Sequence, residues 1–203
     1  MTAAAHFRIP GRWFTPSILV QNPTLDLLTA ALGAGRSLWS MEIRPLQPAD
    51  LDACVALNNG SIPAVSEADA AKLQRLVDES LLSLVAEHDG AIVGFCINFG
   101  PGADYDSVNY RWFCDRYDDF AYLDRIVVAP MARNVGVGAS IYAAVEQHIA
   151  GRPFLFCEVN LRPRNDGSLR FHQRLGFVEV GQQETDYGIL VAMLAKPLSS
   201  TST

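Results

Sequence analysis

One segment narrows the possible folds more than any other. An apolar run, Tyr122-Leu123-Asp124-Arg125-Ile126-Val127-Val128-Ala129-Pro130, leads into Arg133-x-x-Gly136-x-Gly138, and an amphipathic stretch follows to about Ile149. This is a strand, a glycine-rich turn and a helix in immediate succession. The glycines let the chain turn tightly with no Cβ in the way. The first N–H groups of the helix have no partner within it and converge on one spot. The helix dipole adds partial positive charge there, so a phosphate is the natural guest.

Composition says what such a grip does not serve. Hydrophobic residues make up 49% of the 203 and charged residues 19%, which describes a globular chain long enough to bury a core. A net charge of −6, with no cluster of Lys and Arg, argues against nucleic acid as the partner. Cys54, Cys96, Cys114 and Cys157 are widely spaced, with no Cys-x-x-Cys, so no metal site is expected. They read as reduced thiols of a cytoplasmic protein. No run reaches the roughly 18 apolar residues of a membrane span; residues 17–34 come nearest but contain Gln21, Asn22 and Asp26.

Residues 1–40 differ from the rest. They carry Pro10, Pro16 and Pro23, several glycines and one short helical pattern around Leu25 to Leu32. The segment resembles a targeting peptide only superficially, since it has no clean apolar core followed by a cleavage site. It reads as a poorly ordered N-terminal extension, and Met41 as the working start of a domain over 41–198; residues 199–203 form a tail.

From Met41 the pattern is regular. Met41–Arg44 suits a strand stopped by Pro45, and residues 48–59 a helix. Ser66-x-x-Asp69 resembles a capping box opening a second helix. The apolar runs 81–87 and 91–99 are joined at Asp89-Gly90, a hairpin signal. Residues 100–119 read as a long loop with Tyr105, Tyr110, Trp112, Phe113, Tyr117 and five aspartates. Strands follow at 120–128 and 153–159, a short helix at 166–174 ends at Gly176, and 177–182 pairs with 187–195. Hairpins at the ends and helix crossovers between them predict an α/β fold with a mixed sheet.

Three phosphate-binding arrangements compete for Arg133 to Gly138. A Walker loop needs Gly-Lys-Ser/Thr, which is absent, and a dinucleotide fingerprint needs a third small residue where Ile141 stands. The third fits best. Val128-Ala129-Pro130 followed by Arg133-Asn134-Val135-Gly136-Val137-Gly138 resembles the signature of the GNAT superfamily of acetyl-CoA-dependent N-acetyltransferases. A second match lies downstream, in Asn165, Ser168-Leu169, Phe171-His172 and Leu175-Gly176-Phe177. The resemblance covers the chain from Met41 to about Leu198. It implies a largely antiparallel sheet of six or seven strands, split between the fourth and fifth, with about four flanking helices.

It also implies roles. The pantetheine arm of acetyl-CoA would pair with the backbone of Ile126, Val127 and Val128, in the manner of an added strand. The N–H groups of Asn134, Val135, Gly136, Val137, Gly138 and Ala139 would hold the pyrophosphate. Arg133 would add charge there or remain a solvated side chain. Asn165 would contact the pantetheine or serve as an ordinary N-cap. An N–H near Val128 would stabilise the oxyanion. For the base, Glu158 competes with Asp124 and with water. A glutamate sits similarly in related ribosomal-protein N-terminal acetyltransferases, but here two extra residues separate it from Asn165. His172 stands where many members carry the tyrosine that protonates the thiolate, and its ordinary pKa suits that task.

The aromatic, aspartate-rich loop is the expected acceptor site, with Tyr105, Trp112, Asp115 and Tyr117 as candidates for holding a cationic amine of a small molecule or peptide. The same resemblance admits a coenzyme A-binding sensor that transfers nothing. Exposed strand edges are compatible with a homodimer.

Overall fold

The computed structural model describes residues 8–9, 12–13 and 41–198. The chain divides into two units, Met1–Ser40 and Met41–Thr203. In the first, Arg8–Ile9 and Arg12–Trp13 pair as a short antiparallel ladder. The helical pattern expected near 25–32 lies outside the described residues, as does the tail from 199.

The second unit holds one sheet of seven strands. These are β1 (Met41–Pro45), β2 (Leu82–His88), β3 (Ala91–Phe99), β4 (Ala121–Val128), β5 (Phe154–Arg162), β6 (Val178–Glu184) and β7 (Leu190–Pro197). Their order is β1-β2-β3-β4-β5-β7-β6, and every pairing is antiparallel except β4 with β5. The helices are α1 (Leu51–Asn59), α2 (Ala70–Asp78), α3 (Val108–Cys114), α4 (Val137–His148) and α5 (Asp166–Arg174).

Local chemistry explains most boundaries. Asp89 and Gly90 both take positive φ, 50° and 79°, as the tight β2–β3 turn requires. Gly176, at φ 89°, ends α5. Asp69 rather than Ser66 caps α2, its Oδ1 accepting from the Lys72 N–H at 2.7 Å. The long loop expected at 100–119 contains α3, capped by Ser107, because Tyr110 and Phe113 recur at helical spacing and bury against the sheet. Five helices result instead of about four.

Cross-strand register sorts side chains onto two faces. Phe95, Ile97 and Phe99 of β3 join Val85, Tyr110, Phe113, Tyr122, Phe156 and Met193 in one core cluster. On the other face α4 comes close, where a Cβ on Gly94 would stand 3.3 Å from Ile141 Cδ1.

Strand β4 changes register partway. Phe99 opposes Tyr122 and Asn98 opposes Leu123, but Ile97 opposes Arg125. Asp124 is the extra residue of a bulge, so Arg125 and Val127 lie on the same face as Tyr122, and Ile126 and Val128 lie on the other. Plain alternation would have put Asp124 and Ile126 together. The parallel pairing of β4 with β5 covers only Ala121↔Leu155 and Tyr122↔Phe156. Beyond those residues each strand continues unpaired with the other, and a split opens in the sheet.

Candidate active site

The turn before α4 is built for an anion. Asn134 (φ 62°) and Gly136 (φ 94°) both adopt left-handed backbone. Gly136 is the N-cap and offers no side chain to the exposed N–H groups. The first backbone bond donated into the helix is Ser140 N–H to Gly136 O, at 3.0 Å. The N–H groups from Asn134 to Ala139 are thereby left for a ligand, which suits a pyrophosphate. The two glycines serve different ends. Gly136 supplies the backbone angle, whereas a Cβ on Gly138 would meet the Phe171 ring of α5 at 3.1 Å. Arg133 reaches back, its Nε donating to Val128 O at 3.1 Å.

The split supplies a second element of the fit. Past Tyr122, the β4 edge that faces β5 has no strand partner, so Ile126, Val127 and Val128 border an open ladder. An extended amide-bearing arm can pair there.

Two carboxylates meet on the face covered by α1–α3, close to the bulge. Asp124 accepts from the Tyr105 hydroxyl at 2.5 Å and from Arg125 Nε at 3.1 Å. Burial raises its pKa, against the opposing pull of Arg125 and Tyr105. Arg125 is only 4% exposed. It spans the structure, donating also to Asn58 Oδ1 at 2.8 Å, Ser66 O at 2.9 Å and Ser66 Oγ at 2.7 Å. Asp124 is therefore paired with its neighbour and, through it, tied to the α1–α2 connection.

Glu158 differs. Its oxygens accept from the Tyr122 hydroxyl at 2.7 Å and from Asn109 Nδ2 at 3.2 Å, with no cation in the set. Burial, then the negative charge of Asp124, push its pKa up to about 7, against the pull of these two donors. Glu158 nevertheless keeps part of its surface open. A carboxylate so poised takes up a proton near neutral pH.

His172 lies elsewhere. It is 3% exposed and ringed by Tyr142, Phe171 and Phe177. Nε2 meets the Tyr142 hydroxyl at 2.7 Å and Nδ1 meets Ser168 O at 2.8 Å. The carbonyl can only accept, so Nδ1 carries the hydrogen and Nε2 accepts from tyrosine. Burial lowers the pKa, consistent with a neutral ring. Both nitrogens hold hydrogen bonds within the α4–α5 packing. Asn165 acts as N-cap of α5, its Oδ1 accepting from Ser168 N–H at 3.0 Å.

The acceptor candidates separate too. Tyr105 stacks on Phe99 at 4.3 Å and reaches Asp124, so it borders the acid pair. Trp112 packs on the β6 backbone, where a Cβ on Gly181 would fall 2.6 Å from its ring, and Arg116 covers it at 4.0 Å. Tyr117 belongs to the cluster with Phe113, Phe154 and Phe156. Asp115 is exposed at the end of α3. Of the four, only Tyr105 touches the acids, because Trp112 and Tyr117 pack onto the sheet and Asp115 stays in solvent.

Sequence reasoning missed Asn109, Tyr122 and Tyr187. Tyr187 projects from the β6–β7 turn, 66% exposed, and feels the charges of Glu158 and Asp124. The spacing of Tyr122 and Asp124 within an otherwise apolar strand was the available signal; nothing local marks Asn109.

Comparison with known proteins agrees with this fold. By sequence, no curated protein matches the chain. The fold is similar to the ribosomal-protein-S18-alanine N-acetyltransferase of Escherichia coli, with TM-score 0.62, 18% identity, and coverage of 80% of this chain and 96% of that one. NAA60 of Arabidopsis thaliana, solved with a bisubstrate analogue, gives 0.63 at 18% identity, covering 80% and 100%. The yncA protein of Salmonella typhimurium, solved with its cofactor acetyl-CoA, gives 0.61 at 18%, covering 81% and 97%. The profile of the acetyltransferase (GNAT) family matches residues 51–177, well over half of the sequence. This chain belongs to that family, with the acetyl-CoA-dependent acyl transfer that membership carries.

Proposed function

We propose that the chain transfers an acetyl group from acetyl-CoA to a primary amine, on a small molecule or a peptide, by direct transfer in a ternary complex with Glu158 as general base. The observation that carries this reading is a carboxylate held at a pKa of about 7, beside the split, with no cation to neutralise it. Acetyl-CoA supplies the acetyl group as a thioester when bound. The N–H groups of Asn134 to Ala139 bind its pyrophosphate, and the open edge at Ile126, Val127 and Val128 receives the pantetheine. An N–H near Val128 faces the developing oxyanion.

Charge in the split favours a cationic amine. Arg125 pairs with Asp124, so Glu158 is the carboxylate there without a cation partner, and one ammonium balances it. The proton leaving that ammonium passes to Glu158, directly or through a water. Asp124 serves as a positioning residue, holding Tyr105 and Arg125. The acceptor enters from the α1–α3 face, between Tyr105 and Tyr187, while the phosphates lie at the start of α4. His172 is assigned to packing. The free thiols Cys54, Cys96, Cys114 and Cys157 suit the cytoplasm, and among the described residues no helix is long and apolar enough to cross a membrane.

The test is thiol release from acetyl-CoA over a panel of amines, with Glu158→Gln alongside. Transfer that needs Glu158 supports the reading. Binding of acetyl-CoA with no thiol release across small amines and peptide N-termini favours a sensor.

A further inference from the structure

Asn109 is 4% exposed and lies on α3, outside every motif that marks the family in this sequence. Its Nδ2 donates to Glu158 Oε1 at 3.2 Å. Its Oδ1 is buried and has no hydrogen-bond partner. An orphaned buried carbonyl costs about 1–3 kcal/mol, and a stable fold does not keep one beside its most perturbed carboxyl without a reason. The other Glu158 oxygen is held by Tyr122, whose hydroxyl can turn to donate or accept. A primary amide can do the same only by rotating end for end.

We infer that Asn109 is a positioning residue for the base, its amide donating to Glu158 while the carboxylate is charged and turning over to accept from it once it holds a proton. The inference rests on Glu158 being the base. In the charged state, Nδ2–H meets Oε1 and Oδ1 is left over. When a proton moves from the substrate ammonium to Oε1, the new O–H would face an N–H donor. Rotating the amide places Oδ1 against that O–H and restores the bond. The surplus acceptor in one state is thus the required acceptor in the other, and the carboxyl keeps its place throughout turnover.

The groups around Glu158 are accounted for. Tyr122 and Asp124 face it from β4, with Arg125 on the far side of Asp124. Tyr105 from the β3–β4 connection, Tyr142 from α4 and Tyr187 from the β6–β7 turn feel its charge. Cys157 adjoins it on β5. Among these, the side chain that approaches from α3 is Asn109.

The test is a carboxyl carbon NMR titration of the whole protein with labelled glutamate, assigned through Glu158→Gln, so that no acceptor need be known. Asn109→Leu removes the donor to the charged form, and the Glu158 midpoint should rise by about one pH unit. Asn109→Asp, nearly the same shape, adds a like charge and should raise it further. Acetyl-CoA affinity should stay within about twofold for both, which also shows that the variants fold. Midpoints of both variants superimposing on the parent would overturn the inference. If Glu158 itself titrates near 4.5, or Glu158→Gln transfers acetyl at the parent rate once an acceptor is found, the base assignment fails and this inference with it. If Glu158 passes both checks and the Asn109 variants do not move it, Asn109 alone is refuted.

Discussion

The start of α4 and the bulge of β4 stand a few residues apart in sequence and solve opposite problems. The first is made of backbone, unpaired and open: Asn134 and Gly136 turn the chain, and N–H groups wait for an anion. The second is made of side chains, buried and almost fully paired: Arg125, Tyr105, Tyr122 and Asn109 hold two carboxylates, and Asn58 and Ser66 hold Arg125. An anion site can be built from one short stretch because every residue carries an N–H. A poised base cannot, since raising a carboxyl pKa needs desolvation and a neighbouring charge, which only distant elements supply together.

Substitutions can break either half of that contrast. The largest effect is expected at the base: Glu158→Gln should lower turnover by about 10²–10⁴-fold while acetyl-CoA affinity, read by calorimetry, stays put. In the parent enzyme kcat/KM should climb as pH rises through about 7, because the carboxylate must be unprotonated to accept. That limb should vanish in the variant, and its persistence would move the base elsewhere. Because the folded value lies above the unfolded one, Glu158 subtracts stability progressively as pH rises from about 4.5 to about 7, and the full cost persists above 7. The same variant should therefore gain roughly 2–4 kcal/mol there and nothing below pH 4.

Next comes Arg125→Met, which strands Asp124 without its cation. Urea unfolding should show a loss of about 3–5 kcal/mol, and a loss under about 1 kcal/mol would mean the bulge does not depend on this pair. At the other region, Gly136→Asp combines left-handed strain of about 1–2 kcal/mol with a carboxylate at the anion site, and acetyl-CoA should bind at least about a hundredfold more weakly. Gly136→Ala separates the terms, keeping only the strain. Unchanged affinity in both would detach the cofactor from this turn. Smallest of all, His172→Leu should cost about 1–3 kcal/mol of stability by orphaning the Tyr142 hydroxyl, with turnover nearly intact. A large fall in rate at unchanged stability would restore His172 to the chemistry.

The fold was legible where signals are local. Asp89-Gly90 marked its hairpin, Gly176 its helix end, and Arg133 to Gly138 the turn into α4. Helix α3 escaped because its aromatics, flanked by aspartates, mimic a surface loop until the sheet beneath Tyr110 and Phe113 is in place. Ser66 was read as a cap from its spacing; in the fold Asp69 does that work and Ser66 answers to Arg125, a residue far along the chain. His172 was read as an acid from its place in a motif, yet the α4–α5 packing turns both its nitrogens inward.

What the sequence by itself determined is the mixed sheet and the glycine turn into α4, because glycine conformations, strand alternation and unpaired helix N–H groups are properties of contiguous residues; the family signature, not the spacing, named acetyl-CoA. Tertiary structure alone decided which carboxylate is poised. The bulge at Asp124 sets the faces of β4, Arg125 pairs with one acid, and burial beside Asp124 lifts the other against the pull of Tyr122 and Asn109. Desolvation and charge proximity depend on distance in space, and no spacing along the chain encodes them.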